Sequence, residues 1–397
     1  MRWWLLGGVG VAVLIVGVAA RFAIVRASRT TSPHAVAGRG HWQTAWTLPL
    51  PGAVDVSLAP TGDSVGWTDD KGSVRRILSE SGRTLWRTTP LTGVNRVLVA
   101  ATGAVAAFSG LNPERNSVVF LSARGGDQKS RVFAGDGAVW SAAFGPGGAA
   151  FVGTGGHIIY PAGEVGTGGA RFRLQGIPES LAVSTDGSRL AVGTWFPGAV
   201  VCCAPDTEDS CWQQAEPEPD RSCRVAISSD GSRVMVLSTR GAKGRDGMLR
   251  VHDGETGRLL WKVVLPDHAI SPAALLSDDG AFVAVTYLRS ASEEDADDWR
   301  LAYFNADGRR VFADKGSALF KPRIAAIAAD GSTITVRSGD DTLFTLDARG
   351  NFISQLRLTP DVRTGKSVVV EHTESSRDGK TLLLRRRDGQ VTLLHAG

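Results

Sequence analysis

The chain has 397 residues, 43% of them hydrophobic, and a formal net charge of +4. Four arginines, Arg2, Arg21, Arg26 and Arg29, are the only charged residues before position 31 and account for that whole excess. The remaining chain is net neutral and lacks the basic footprint of a nucleic-acid-binding protein, so we predict no nucleic-acid partner.

The first predicted element is an apolar segment. Residues 3–20 contain no charge; this length is close to the ~20 residues that cross a bilayer and exceeds a secretory h-region of ~7–15. We predict a transmembrane signal anchor at 1–26, with a cleaved signal peptide as the alternative. Residues 27–40 are small, polar and contain Pro and Gly, which indicates a flexible linker. The flanking charges weakly favour a cytoplasmic body.

From residue 41 onward one unit recurs: a short apolar strand, a tight turn with Gly, and a second apolar strand. Copies include LAVSTDGSRLAVGT and VAISSDGSRVMVLST, and the turn glycines recur every 40 to 51 residues. Asp-Gly is favoured where a hairpin needs positive φ. A second hairpin follows in most copies, as in MLRVHDGETGRLLWKVVLP. Four antiparallel strands in each repeat of this length are typical of a β-propeller blade. The turn glycines are Gly62, Gly103, Gly147, Gly187, Gly231, Gly280, Gly331 and Gly379.

The predicted fold is all-β: one domain, residues 41–397, forming an eight-bladed propeller. Seven blades is the alternative, if the second or third copy is irregular. The eighth copy lacks a fourth strand, and HWQTAWTLPLP at 41–51 resembles the fourth strands of other copies. We therefore expect this N-terminal strand to close the ring, which hides the sheet edges. Trp46, Trp86 and Trp261 occupy similar places in fourth strands, and we expect them to pack between blades.

The connections divide the ring into two rims. The plain rim carries the turns between strands 1 and 2 and between strands 3 and 4, which are mostly short. The decorated rim carries the connections between strands 2 and 3 and between blades, which are long and varied. Long loops on a rigid scaffold favour recognition, although loops also lengthen without function. Candidate binding residues on the decorated rim are Arg115, Arg240, Lys243, Arg245, Glu293, Glu294, Asp295, Asp297 and Asp298.

Signals for catalysis are absent from the sequence. The seven histidines do not cluster, and no nucleophile elbow, phosphate loop or dinucleotide fingerprint occurs. The acidic run at 293–298 lacks the spacing and glycine of a calcium loop, so we predict no metal. We predict no catalytic residues and no cofactor. The expected function is a non-catalytic, membrane-tethered scaffold in the bacterial cell envelope, binding protein or another envelope component on the decorated rim.

Two sets of phrases resemble known propeller families. SESGRTLWRTTPL and GETGRLLWKVVLP resemble the repeat of PQQ-like propellers, and STDGSRLAVG resembles WD-repeat-type bacterial propellers. The resemblance covers 41–397 at the level of repeats and implies architecture more than function. It includes PQQ-dependent alcohol dehydrogenases, with calcium and the quinone on the axis, and the envelope scaffold BamB, which binds proteins. A quinoprotein oxidoreductase and a cytoplasm-facing WD-like hub are therefore the alternative functions. The chain lacks the lipobox cysteine of such a scaffold.

All four cysteines, Cys202, Cys203, Cys211 and Cys223, lie within 22 residues. The quinoprotein resemblance implies a disulfide between adjacent cysteines. Successive strand side chains point to opposite faces, however, so we predict that one of Cys202 and Cys203 bonds to Cys211 and the other to Cys223. Buried free thiols are the alternative, and the spacing does not suit zinc. Disulfides persist in oxidising compartments, which favours the envelope side and outweighs the charge bias.

Overall fold

The structure is a computed structural model. It describes residues 42–397 except 110–116, 126–127, 133–136, 164–170, 206–210, 217, 219–220, 241–244, 267–268, 290–297, 315–318, 320, 340 and 359–367. The predicted anchor at 1–26 and linker at 27–40 lie outside the described residues. Among the residues that are described, no helix is long and apolar enough to cross a membrane. Their regular structure is β-strand, apart from one 3-10 turn at Pro146–Gly148.

The strands follow the chain in groups of four after the first strand, β1 (Trp42–Pro49). Strands β2–β5 are Ala53–Leu58, Ser64–Asp69, Val74–Leu78 and Thr84–Arg87; β6–β9 are Arg96–Val99, Val105–Phe108, Ser117–Leu121 and Gln128–Val132. Strands β10–β13 are Val139–Phe144, Ala149–Thr154, Ile158–Gly163 and Phe172–Arg173; β14–β17 are Ile177–Val183, Leu190–Trp195, Ala199–Cys203 and Trp212–Ala215. Strands β18–β21 are Arg221–Ile227, Arg233–Arg240, Arg245–Asp253 and Leu259–Val264; β22–β25 are Ala269–Leu276, Phe282–Arg289, Trp299–Asn305 and Arg310–Asp314. Strands β26–β29 are Arg323–Ile327, Thr333–Ser338, Thr342–Asp347 and Phe352–Arg357; β30–β32 are Val370–Ser375, Thr381–Arg386 and Gln390–Ala396.

Each group of four is an antiparallel sheet with neighbouring strands adjacent in sequence. The pair Trp195–Ser222 joins β14–β17 and β18–β21 into one larger sheet. The last three strands are completed by β1, which pairs antiparallel with β32 from Trp42–Ala396 to Pro49–Gln390. This pairing confirms the predicted ring closure by the N-terminal strand.

The hydrophobic cores lie between consecutive sheets. Trp42 packs with Leu343 of the preceding sheet, whereas Trp46 packs with Val65 and Trp67 of the first complete sheet. The first strands of successive groups contact one another from β2 through β30 and back to β2. Sheets that pack face to face around a closed ring form a β-propeller, as the repeat predicts.

Aromatic side chains on fourth strands pack against the turn glycine between strands 3 and 4 of the next group. A Cβ atom on Gly308 would lie 2.6 Å from the Trp261 ring, a distance that real Cβ atoms do not reach. The indole N–H of Trp86 also donates to the Ala123 carbonyl of the next group, at 3.0 Å. The predicted packing of Trp46, Trp86 and Trp261 between blades is confirmed. The aromatic–glycine pairs are Trp46–Gly82, Trp86–Gly125, Trp212–Gly257, Trp261–Gly308 and Phe312–Gly350.

The repeated turn between strands 1 and 2 is fixed by a serine and an aspartate. In one copy Ser184 Oγ donates to Asp186 Oδ1 at 2.6 Å, and the Ser188 backbone N–H donates to the same oxygen at 2.9 Å. All the predicted turn glycines adopt φ between 65° and 79°, as this turn requires. Burial raises the pKa of Asp186, but these hydrogen bonds lower it more strongly, so the net pKa is below its ordinary value.

One side chain reaches across the ring at the plain rim. Arg377, in the turn between β30 and β31, donates from Nη2 to the Val183 carbonyl at 2.8 Å and from Nη1 to Thr185 Oγ1. Its Nε lies 3.5 Å from Asp278 Oδ1. Val183 and Thr185 belong to the β14–β17 group on the far side of the ring, and Asp278 belongs to the β22–β25 group, two groups before Arg377. Arg377 therefore links three groups at the plain rim.

Candidate interaction surface on the decorated rim

Six of the predicted binding residues lie outside the described residues: Arg115, Lys243, Glu293, Glu294, Asp295 and Asp297. The other three sit at strand ends on the decorated rim. Arg240 ends β19 opposite Arg245, and its Nε lies 3.8 Å from Glu218 Oε2. Asp298 pairs with Arg300 Nη2 at 2.5 Å. Arg240 and Asp298 therefore each pair with a nearby charged residue on this rim.

An exposed aromatic patch, consisting of Trp140, Trp195 and Phe196, lies on this rim. Trp140 is the second residue of β10, Trp195 ends β15, and Phe196 starts the turn into β16. The Trp195 ring centroid is 6.4 Å from Trp140 and 6.2 Å from Phe196. Phe196 is 56% exposed and has φ of 52°, a region that bulky side chains rarely adopt. Outliers of this kind cluster at functional sites, and sequence patterns gave no signal for it.

An arginine groove of about 510 Å³ is lined mainly by the β22–β25 sheet and extends from the decorated-rim ends of β23 and β24 along the outer strand β25. Burial raises the pKa of Tyr287 in this groove, although the positive charges of Arg300, Arg310 and Arg289 act in the opposite direction. Its phenol therefore stays protonated and able to donate. The groove is lined by Pro266, Tyr287, Arg289, Arg300, Arg310, Val311, Phe312 and Ala313.

A buried ion pair lies beneath the rim, between β14–β17 and β18–β21. Arg250 Nη2 contacts Glu216 Oε1, and these side chains are 4% and 0% exposed. The Cys223 thiol donates to the same carboxylate oxygen at 3.3 Å. Glu216 Oε2 and Arg250 Nε are buried and have no hydrogen-bond partner among the described residues. No sequence motif predicted this pair, because its members lie on strands of neighbouring groups.

The cysteines form one disulfide, between Cys203 and Cys211. Because Cys202 faces Trp212 in the strand register, Cys203 and Cys211 are the next pair across the hairpin. The predicted second bridge is not formed: Cys202 and Cys223 are buried free thiols. The Cys202 sulfur lies 3.6 Å from the Gly254 carbonyl, whereas Cys223 points to Glu216. Burial raises the pKa of both thiols to about 12.

These residues do not fit a quinone cofactor of the PQQ type. That chemistry, as the resemblance implies, needs a disulfide between Cys202 and Cys203, but Cys203 is bonded to Cys211. The two side chains also enter different inter-sheet cores. Among the described residues, no three His, Cys, Asp or Glu side chains converge to hold a metal ion.

Comparison with known proteins supports the propeller fold. A family model described as "Outer membrane protein assembly factor BamB" matches residues 197–394. The structure is similar to BamB from Moraxella catarrhalis, with a TM-score of 0.61 and 15% identity, covering 89% of this chain and 99% of that one. It is also similar to Kuenenia stuttgartiensis hydrazine synthase, with a TM-score of 0.52 and 13% identity, covering 87% of this chain and 96% of that one. No curated protein sequence matches the chain.

The family model is described by outer-membrane assembly, whereas one of the similar structures is named as a synthase. The likeness therefore establishes the fold and leaves the choice of function to the chain's own residues. Its strands, its repeat turns and these structural likenesses make this chain a β-propeller, and the match over residues 197–394 makes its second half similar to PQQ-like propellers.

Proposed function

We propose that the chain is a membrane-tethered, non-catalytic propeller that binds a partner protein of the bacterial cell envelope on its decorated rim. The observation that carries this proposal is the aromatic patch of Trp140, Trp195 and Phe196. Trp and other aromatic side chains are enriched at protein interfaces and dominate binding energy there. A side chain as exposed as Phe196, supported by two half-buried tryptophans, has the form of an anchor that a partner would bury.

The proposed ring has eight blades. Support comes from the turn glycines, which occur once in each group of strands, and from the contacts between successive first strands. The pairing of β1 with β32 supplies the fourth strand of the last blade.

The proposed location is the envelope side of the cytoplasmic membrane, with the N-terminal segment as anchor. The Cys203–Cys211 disulfide supports this side, because disulfides persist in oxidising compartments. A reporter fused after Gly397 tests the orientation: activity of an envelope-dependent reporter is expected, and a cytoplasmic signal would instead favour a cytoplasm-facing hub.

In-cell cross-linking followed by mass spectrometry tests the partner and the surface. A photo-activatable residue at Phe196 should capture a defined protein. Phe196→Ala should weaken the complex by about tenfold or more, since truncation of a hot-spot anchor costs about 2 kcal/mol or more. Phe352→Ala is the matched control, because Phe352 is 53% exposed but lies on the outer strand β29. Equal effects of the two variants would contradict the assignment of the aromatic patch.

A further inference from the structure

The arginine groove gathers positive charge through the register of two strands. Tyr287 on β23 and Arg300 on β24 are direct cross-strand partners. Arg289 is two residues beyond Tyr287 and therefore projects to the same face of the sheet. Ala313 of β25 stands opposite Ala302 and extends this face with Val311. The sheet thus brings a phenol and three guanidinium groups to one groove.

The charge in this groove is incompletely balanced by described residues. Asp298 pairs with Arg300 at 2.5 Å, whereas Arg289 and Arg310 form no ion pair with a described residue. Tyr287 is only 8% exposed, so a donor in the wall of the groove is already shielded from water. A groove of this size falls in the range of small-molecule sites, which combine apolar lining with a few convergent polar groups.

The number of donors favours a phosphate group over a carboxylate. One guanidinium is enough to bind a carboxylate through two parallel hydrogen bonds. A phosphate group accepts from several directions and can use Tyr287 together with more than one of Arg289, Arg300 and Arg310. Val311, Ala313 and Pro266 would then contact an apolar portion of the same ligand.

We propose that this groove is a phosphate-binding site, separate from the aromatic patch and independent of the protein-binding function proposed above. The phosphate would belong to a soluble phosphomonoester or to a phospholipid headgroup. In either case the Asp298 carboxylate competes with the phosphate for Arg300, because the two residues form an ion pair in the absence of ligand.

Binding is tested with the purified full-length chain in a neutral detergent. Calorimetric titration with inorganic phosphate and phenyl phosphate, with acetate for comparison, tests the soluble ligand. Flotation with phosphatidylglycerol vesicles, compared with phosphatidylcholine vesicles, tests the headgroup. We expect phosphate compounds to bind more tightly than acetate. A preference for phosphatidylglycerol vesicles that is lost in Arg289→Gln, without measurable soluble binding, would identify the headgroup as the source.

Four variants are expected to differ in their effect on phosphate binding. Arg289→Gln and Arg300→Gln should each weaken binding by about tenfold, the scale of a lost charge-assisted hydrogen bond. Asp298→Asn should tighten binding, because it frees Arg300. Arg240→Gln, at the equivalent end of strand 2 in the preceding sheet, should leave binding unchanged. Equal weakening by Arg240→Gln, no change in Asp298→Asn, or no binding in either arm would overturn the proposal. Cross-linking at Phe196 would be unaffected by any of these results.

Discussion

Replacing either Glu216 or Arg250 alone should destabilise the fold more than replacing both residues together. Glu216→Leu leaves a guanidinium buried without its partner, and Arg250→Met leaves a buried carboxylate. Breaking a buried pair from one side typically costs about 3–5 kcal/mol. The double replacement removes both charges, together with Glu216 Oε2 and Arg250 Nε, which lack partners among the described residues. It should therefore be neutral or stabilising.

The expected shifts follow from the size of the domain. Unfolding entropy of about 2.1 cal/mol/K per residue over residues 42–397 converts a loss of ~4 kcal/mol into a fall in melting temperature of about 5 °C. Differential scanning calorimetry of the two single variants and the double variant measures this directly. Single-variant losses that simply add in the double variant would refute the reasoning, as would single losses below about 1 kcal/mol.

The pH dependence separates the two single variants. In Arg250→Met the unpaired Glu216 has a folded-state pKa above its unfolded value of about 4.3. A group with a raised folded pKa supports the fold below the unfolded value and loses that support as the pH rises through the raised value. Stability of Arg250→Met should therefore fall as the pH rises from 4 towards 8. Glu216→Leu leaves a guanidinium that stays charged, so its loss should not change over this range.

Three further results are expected. Gly308→Ala, which combines φ of 71° with a clash against Trp261, should destabilise the domain by about 2–4 kcal/mol, whereas Gly147→Ala, with φ of 68° and open space around it, should cost only about 1 kcal/mol in calorimetry. Thiol titration should find no reactive cysteine in the folded chain and two, Cys202 and Cys223, after denaturation without reductant; four would contradict the Cys203–Cys211 bridge. The turn carboxylates with lowered pKa values support the fold above their unfolded pKa of about 4 and lose that support as the pH falls through the lowered values. The melting temperature should therefore drop below pH 4. The drop should be less steep in Asp230→Asn. These carboxylates are Asp186, Asp230, Asp253, Asp330 and Asp347.

The repeat was readable in the sequence because each of its parts is local. Gly187 and Gly231 sit in turns whose φ, hydrogen bonds and flanking strands depend on neighbouring residues alone. The closing strand could also be predicted, since its Trp46 matches the tryptophans of other fourth strands. Local patterns therefore identified the strands, their pairing and the propeller class.

Contacts between sheets could not be predicted in this way. Arg377 reaches residues nearly 200 positions away, and Glu216 meets Arg250 across two sheets. The second disulfide was predicted from strand alternation, which correctly separates Cys202 from Cys203. Alternation does not determine what faces Cys202 in the next sheet, and that neighbour is the Gly254 carbonyl. The aromatic patch and the arginine groove likewise depend on how strand ends from different repeats meet.

The strand that closes the ring would also carry any mechanical load on a chain held by its N-terminal segment. The chain enters β1 at Trp42 beside Ala396, whose N–H donates to the Lys380 carbonyl in a plain-rim turn at 2.8 Å. A pull from that side acts along β1, so the hydrogen bonds to β32 are loaded together in shear instead of being peeled one by one. Trp42 and Trp46 would have to leave two different cores in the same event. Loss of β1 from the sheet would therefore release the propeller from its N-terminal segment and open the ring at the same time.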